Sequence, residues 1–139
     1  MTPIPFEQRN PYKGSLPRPW IRIRFSTPAG LLWEGEFLAD TGCPQELVVS
    51  RSLLSRLQHR KAPSVNTNFG VLSGAWLELA MPELGLVRRS LGYGNDSIVA
   101  AARASSPHFE GLVGLPFLRL LEYGGDANWF WVRATGGIP

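Results

Sequence analysis

The first ordered segments of the chain alternate strictly between apolar and polar residues. Residues 21–25 alternate in this way, and residues 31–39 alternate again after a turn-forming stretch from Thr27 to Gly30. One antiparallel register satisfies both faces of the two segments. It makes the cross-strand pairs Ile21–Phe37, Phe25–Trp33, Arg22–Glu36 and Arg24–Glu34. The pattern therefore predicts a β-hairpin whose register is set by its apolar face.

The remaining patterns predict mostly short strands joined by turns. The predicted strands cover residues 46–49, 76–80, 86–91, 112–113 and 129–132, and the second and third of these form a hairpin around residues 81–85. Ser50 can cap a helix that runs through His59, with Arg60 and Lys61 at its negative end and Pro63 as its stop. Pro116 suits the first turn of a second helix, whose apolar residues are Phe117, Leu118, Leu120 and Leu121. Residues 98–103 are apolar and fit either a strand or a short helix.

The chain divides into an arm and one domain. Residues 1–19 hold five prolines and show no periodicity, which predicts an extended arm that is disordered or lies across a surface. Trp20 is expected to open the ordered part, and residues 20–139 are expected to form a single domain of ordinary size.

Composition and charge narrow the function classes. The apolar fraction of 44% and the charged fraction of 18% are typical of a globular protein. The net charge is +3, but the basic residues are scattered, so no nucleic-acid partner is expected. No apolar run is long enough to span a bilayer and no signal-peptide layout is present, which predicts a cytoplasmic protein without a membrane partner.

One stretch carries candidate chemistry: residues 37–43, Phe-Leu-Ala-Asp-Thr-Gly-Cys. An apolar strand delivers Asp40 into a tight turn, and a carboxylate on a rigid element can hold its geometry. Thr41 offers a hydroxyl that donates and accepts, and Gly42 allows another group to approach closely. The alternative is a solvated turn residue, since Asp and Gly are common in turns.

Two apolar residues followed by Asp-Thr-Gly resemble the active-site loop of the aspartic proteases. A second landmark, Gly-Leu-Val-Gly-Leu-Pro-Phe-Leu at residues 111–118, is similar to the apolar-apolar-Gly element of the single-domain, retropepsin-like members. The resemblance runs from about Trp20 to Val132. It implies a mostly β, closed-barrel-like fold with one or two short helices, and a homodimer in which Asp40 is half of the catalytic pair. It also implies that Thr41 hydrogen-bonds across the dimer axis.

Peptide hydrolysis by aspartate side chains requires a second carboxylate. Two facing carboxylates that share one proton can activate water, whereas one alone cannot. Asp96 and Asp126 do not repeat the motif, so the partner must come from another copy of the chain. The expected activity is peptide-bond hydrolysis on peptide or protein substrates. The rivals are an inactive peptide-binding or assembly module of the same fold and a small β-barrel that binds RNA.

The resemblance also places a flap, a hairpin that folds over bound peptide, within residues 66–74. Its members are Phe69, Gly70, Val71, Leu72, Ser73 and Gly74, with the tip near Gly70 to Gly74. The alternative is an ordinary loop. No cofactor or metal is expected, because the two histidines and the scattered carboxylates show no ligand spacing. The single cysteine, Cys43, excludes an intrachain disulfide and is expected to pack beside the turn.

Overall fold

The computed structural model describes residues 4–135 of the chain. The protein is mostly β, with 55% of residues in strands and 17% in helices. Ten strands lie within residues 4–135: β1 (Glu7–Pro11), β2 (Trp20–Ser26), β3 (Leu32–Asp40), β4 (Leu47–Val49), β5 (Arg60–Thr67), β6 (Gly70–Met81), β7 (Leu86–Gly94), β8 (Phe109–Gly114), β9 (Leu121–Gly125) and β10 (Trp129–Ala134). The helices are α1 (Arg51–Leu57), α2 (Asp96–Arg103), α3 (Leu115–Leu118) and a 3-10 turn at Pro82–Leu84.

Six strands close into a barrel in the order β2-β3-β8-β4-β7-β6. The closure comes from a second pairing of β2, whose residues Arg24, Phe25 and Ser26 lie opposite Ala80, Leu79 and Glu78 of β6. Strand β5 adds to the outer edge of β6. A closed barrel leaves no free edge among its members. The predicted mostly β, closed-barrel-like fold is confirmed.

The first predicted hairpin is confirmed residue by residue. Strands β2 and β3 pair Ile21 with Phe37 and Phe25 with Trp33. Phe25 and Phe37 are fully buried, and their ring centroids lie 5.6 Å apart in the core. On the outer face, Arg24 pairs with Glu34 as the register places it, whereas Arg22 pairs with Glu34 instead of the opposite residue Glu36. The guanidinium groups of Arg22 and Arg24 both lie near the carboxylate of Glu34. Exposed pairs of this kind contribute about 0–1 kcal/mol each, so the aromatic face sets the register.

The helices differ from the sequence prediction in extent. Ser50 caps α1 as expected, because its hydroxyl accepts a hydrogen bond from the Leu53 amide at 3.2 Å. The helix then ends at Leu57 rather than His59, and Arg60 to Pro63 form the start of β5. The ambiguous segment at 98–103 lies in helix α2, so the described part of the chain has three short α-helices. In α3, Pro116 occupies the first turn as predicted, and Phe117 and Leu118 are buried.

The N-terminal segment is built into the fold, contrary to the expectation that order begins at Trp20. Strand β1 pairs with β10, and β10 pairs with β9, in a separate three-stranded antiparallel sheet. The buried side chain of Gln8 accepts a hydrogen bond from the Arg22 amide at 2.6 Å and donates to the Arg22 carbonyl at 2.9 Å. The Gln8 amide thus takes the place of a neighbouring strand along this part of β2.

No helix within residues 4–135 is long and apolar enough to cross a membrane.

Candidate active site

Asp40 ends strand β3 and stands beside the second sequence landmark. Strands β3 and β8 run parallel, and the Cα of Asp40 lies opposite that of Gly114. The carboxylate oxygen Oδ1 of Asp40 accepts a hydrogen bond from the Gly42 amide at 2.9 Å, and the Cys43 amide donates to the Asp40 carbonyl at 3.0 Å. The turn therefore holds the carboxylate from both its side chain and its backbone. Asp40 is half-buried and keeps its second carboxylate oxygen free of hydrogen bonds within residues 4–135.

The glycines of the second landmark allow this close approach. A Cβ added at Gly114 would lie 2.0 Å from the Gln45 carbonyl oxygen and 2.4 Å from that of Cys43. The amides of Gly114 and Leu115 instead donate hydrogen bonds to the turn, at 3.0 Å to the Glu46 carbonyl and 3.1 Å to the Cys43 carbonyl. Two distant stretches of sequence therefore form one structural unit, with the aspartate turn seated on the end of β8.

Thr41 and Gly42 lie at the exposed face of the same turn. The Thr41 hydroxyl makes no hydrogen bond to any group in the described part of the chain. A Cβ added at Gly42 would meet only the Asp40 carboxylate, at 3.2 Å. The turn therefore presents a carboxylate, a hydroxyl and an open glycine to the outside of the chain.

A hairpin is present where the flap was expected, but its tip lies earlier in the sequence. Strands β5 and β6 are joined by a two-residue turn at Asn68 and Phe69. The Thr67 hydroxyl accepts from the Phe69 amide at 3.1 Å and donates to the Gly70 carbonyl at 3.0 Å. Gly70 has a φ of 95°, which favours glycine.

The placement of the tip at Gly70 to Gly74 is therefore wrong, because Val71, Leu72, Ser73 and Gly74 belong to the body of β6. Gly74 in particular lies between two strands, opposite Ala62 of β5 and Tyr93 of β7. A Cβ there would lie 2.5 Å from the Pro63 carbonyl oxygen. This glycine serves close strand packing and not the mobility of a lid.

One buried side chain ties the hairpin tip to helix α2. The Asn95 amide nitrogen donates to the Phe69 carbonyl at 3.3 Å, while its oxygen accepts from the Ile98 amide at 2.9 Å. Asn95 is the N-cap of α2 and is 7% exposed. The helix start and the hairpin tip are therefore positioned together.

The aspartate turn, the hairpin tip and α2 enclose one cavity of about 550 Å³. Its floor includes Leu38, Asp40 and Leu112, and the turn contributes residues from Gly42 to Gln45. The hairpin contributes Thr67, Asn68 and Phe69. Helix α2 adds a mostly apolar wall with Ile98, Ala101 and Ala102. A concave, largely apolar site with a few polar groups is the usual form of a ligand site.

The wall formed by α2 was not predicted, because residues 98–103 carry no motif and their element type was ambiguous. Arg18 also lines the cavity and was assigned to the arm. Two sequence signals could have suggested this helix: Asn95 followed by Asp96, which suit a helix start, and the small residues Ala100 to Ala102, which allow close packing.

Cys43 is 8% exposed and packs beside the turn. Burial raises the pKa of its thiol, the charge of Asp40 raises it further, and a hydrogen bond to the Gln45 backbone opposes both. Neither histidine lines the cavity: His59 Nε2 lies 2.6 Å from the Ser26 carbonyl, and His108 is exposed. Within the described residues, the thiol therefore has no histidine in the cavity to act as its base.

The other two aspartates have local roles elsewhere. Asp96 accepts a hydrogen bond from the Arg51 amide at 2.9 Å and joins the starts of α1 and α2. Asp126 accepts from the amides of Asn128 and Trp129, and these two hydrogen bonds lower the pKa of Asp126. Within residues 4–135, Asp40 is the only carboxylate that lines the cavity, and no three potential metal ligands come together.

No family model, curated protein or solved structure matches this chain.

Proposed function

We propose that the protein is an aspartic endopeptidase that acts as a homodimer, with Asp40 from each copy forming the catalytic pair. The observation that carries the proposal is the position of Asp40 in a turn at the end of β3, on the floor of a cavity beneath a hairpin tip. The motif resemblance supports the same conclusion through Asp40, Thr41 and Gly42.

The need for a dimer follows from the number of carboxylates in the site. One chain supplies a single carboxylate to the cavity, and activation of water needs two that share a proton. A twofold axis next to the turn would bring the same group from each copy together. Thr41 is exposed there and free to donate across the axis. We therefore assign the face that carries Thr41 and Gly42 to the dimer interface.

The reaction would use only the two carboxylates and a water molecule. The ionised Asp40 takes a proton from water as the water oxygen attacks the peptide carbonyl carbon, while the protonated Asp40 hydrogen-bonds to the carbonyl oxygen. Collapse of the tetrahedral intermediate breaks the C–N bond, and the leaving nitrogen takes a proton from the pair. The two groups titrate as a unit, so the rate is expected to fall on both sides of an optimum.

The substrate would lie extended between the turn and the hairpin. Main-chain groups of the hairpin can bind a peptide as an added strand, and the apolar wall of α2 can accept a side chain. Phe69 is 69% exposed at the tip, so a peptide drawn into the cavity would cover it.

The decisive test is Asp40→Asn. An asparagine oxygen can still accept the hydrogen bond from the Gly42 amide, so the free energy of unfolding should change by less than about 1 kcal/mol. Cleavage of a mixed peptide library between pH 3 and 7, followed by mass spectrometry, should drop by about a thousandfold or more. Asp96→Asn, which lies outside the cavity, is the matched control and should cleave like wild type.

Sedimentation of the same samples ties activity to assembly. The rate per chain should fall when the protein is diluted below its dimer dissociation constant. Equal behaviour of wild type and Asp40→Asn towards every peptide, or full activity of a monomer, would exclude the proposal.

The second candidate is a peptide-binding module without catalysis. It is favoured by the cavity itself, since an apolar site beneath a hairpin can bind peptide with one carboxylate or with none. In that case wild type and Asp40→Asn would bind the same peptides with equal affinity, and no cleavage would be detected.

A further inference from the structure

The cavity beside Asp40 is lined by a second charged residue, Arg18. Of the described residues that line it, Asp40 and Arg18 are the only charged ones, and the rest are apolar or neutral polar. Arg18 makes no ion pair within residues 4–135, whereas all five arginines of strands β2, β7 and β10 have a glutamate partner. Arg18 thus lines the cavity, and its side chain is exposed and makes no hydrogen bond or ion pair within the described residues.

The backbone of Arg18 is held firmly in place. Its amide donates to the Lys13 carbonyl at 2.9 Å, and its carbonyl accepts from the Lys13 amide at 3.1 Å. The next residue, Pro19, accepts a hydrogen bond from the Ala39 amide at 2.9 Å. Ala39 directly precedes Asp40, so this loop is tied to the strand that carries the candidate catalytic group.

The same loop is tied to the other wall of the cavity. A Cβ added at Gly14 would lie 2.7 Å from the Ser105 carbonyl oxygen, and the Ser15 amide donates to that carbonyl at 3.3 Å. Ser105 follows α2 and lines the cavity. The loop from Lys13 to Arg18 therefore bridges β3 and the end of α2, which fixes the origin of the Arg18 side chain.

We infer that Arg18 selects substrates with a carboxylate beside the bond to be cleaved, so that acidic peptides are the preferred class. A guanidinium group recognises a carboxylate through two parallel hydrogen bonds, and the apolar wall formed by Ile98 and Ala101 can cover the methylene groups of a Glu side chain. This inference rests on the proposed function, because it assigns the substrate of the same cavity.

The test uses pairs of ten-residue peptides that differ only by Glu or Gln at one position, with both ends blocked. For wild type, Glu at one fixed position from the cleaved bond should raise kcat/KM about tenfold over Gln. Arg18→Gln should remove this preference, and Arg18→Glu should reverse it in favour of Lys at the same position. Arg18→Lys should keep only part of it, because an ammonium group cannot form the paired hydrogen bonds. Arg119→Gln, an exposed arginine outside the cavity, should behave like wild type.

Binding separates the failure of this inference from the failure of catalysis. In an Asp40→Asn background, fluorescence anisotropy of the same peptides should show the Glu-over-Gln preference, and the added Arg18→Gln change should abolish it. If wild type cleaves nothing but this binding difference appears, the carboxylate site stands and the protease proposal fails. Peptides with a free C-terminus test whether a terminal carboxylate serves as well, and a gain that depends on Arg18 would also support the site.

Two results would overturn the inference. The first is equal cleavage and equal binding of the Glu and Gln peptides by wild type. The second is a lower dimer affinity of Arg18→Gln in sedimentation together with an unchanged peptide preference, which would make Arg18 an interface residue.

Discussion

Glycine serves two different purposes in this chain. Gly70 has a positive φ at the hairpin tip, with open space around its missing Cβ. Gly114 has an ordinary extended conformation, with φ of −98° and ψ of 179°, but carbonyl oxygens from the aspartate turn occupy the space of a side chain. Gly70 is required by the conformation of its own backbone. Gly114 is required because a neighbouring segment occupies the space that a side chain would fill.

Gly114→Ala should therefore destabilise the protein through a clash with the aspartate turn. The added methyl group would meet the carbonyls of Gln45 and Cys43, and the Cys43 carbonyl is held by the hydrogen bond from the Leu115 amide. We expect a loss of about 1–3 kcal/mol in the free energy of unfolding, measured by urea denaturation. Gly42→Ala is the matched control in the same turn and should cost less than about 1 kcal/mol, because its methyl group meets only the Asp40 carboxylate at 3.2 Å. A neutral Gly114→Ala would contradict this account of the landmark.

At the scale of elements, those determined by nearby residues were predictable from the sequence, and those that depend on contacts between distant segments were not. The β2–β3 hairpin was predictable because its two strands are close in sequence and both faces agree on one register. The extent of α1 was not, since the pairing of Arg60 with Trp76 draws that residue into β5 despite its helical setting. The site divides in the same way. The aspartate turn is local and visible in the sequence, whereas the wall of α2 and the position of Arg18 depend on packing between distant segments.

Asn95 is the side chain that joins helix α2 to the hairpin. Asn95→Asp keeps an oxygen to cap the helix but replaces the donor to the Phe69 carbonyl with a second acceptor. We expect the hairpin tip to open more often, so that hydrogen exchange at Phe69 and Gly70 accelerates about tenfold. The amides of α2 should remain protected.

Asn95→Ala is the comparison, because it removes both hydrogen bonds. It should speed exchange at the tip and also lower the free energy of unfolding by about 1 kcal/mol through the lost cap. Unchanged exchange at the tip in both variants would show that the hydrogen bond to Phe69 does not hold the hairpin.

At the scale of the whole molecule, strand β1 joins the barrel to the three-stranded sheet of β1, β10 and β9 through buried polar groups. Glu7 has a side chain only 2% exposed, and its carboxylate lies 2.6 Å from the Arg133 guanidinium and 2.9 Å from that of Arg9. The prolines on either side hide this strand from sequence analysis, because the signal of an extended arm and that of a short polar strand are the same.

Glu7 should make the stability of the protein depend on pH. Burial raises the pKa of Glu7, but the hydrogen bonds and charges of Arg9 and Arg133 outweigh it, and the pKa lies below its usual value of 4.5. A carboxyl group whose pKa is lowered by folding stabilises the fold above the unfolded value and loses this contribution as the pH falls through the folded value.

Glu7→Gln should therefore reduce the free energy of unfolding most at pH 7, by about 2–4 kcal/mol, and progressively less below pH 4.5. Urea denaturation at pH 7, 5 and 3 measures the difference. Glu122→Gln, at an exposed position of β9, is the control. A cost for Glu7→Gln that is the same at all three pH values would show that Glu7 acts through packing alone.

The pairing of β1 with β10 also decides how the molecule responds to tension. The Ala134 amide donates to the Phe6 carbonyl, Glu7 lies opposite Arg133 and Pro11 lies opposite Trp129, so a force that pulls residues 4 and 135 apart acts first on the Phe6–Ala134 end of this pairing. The hydrogen bonds of an antiparallel pair lie across the strands and would break one after another, as in a zipper, rather than together. A force applied through these two residues would therefore separate β1 from β10 before it acted on the barrel.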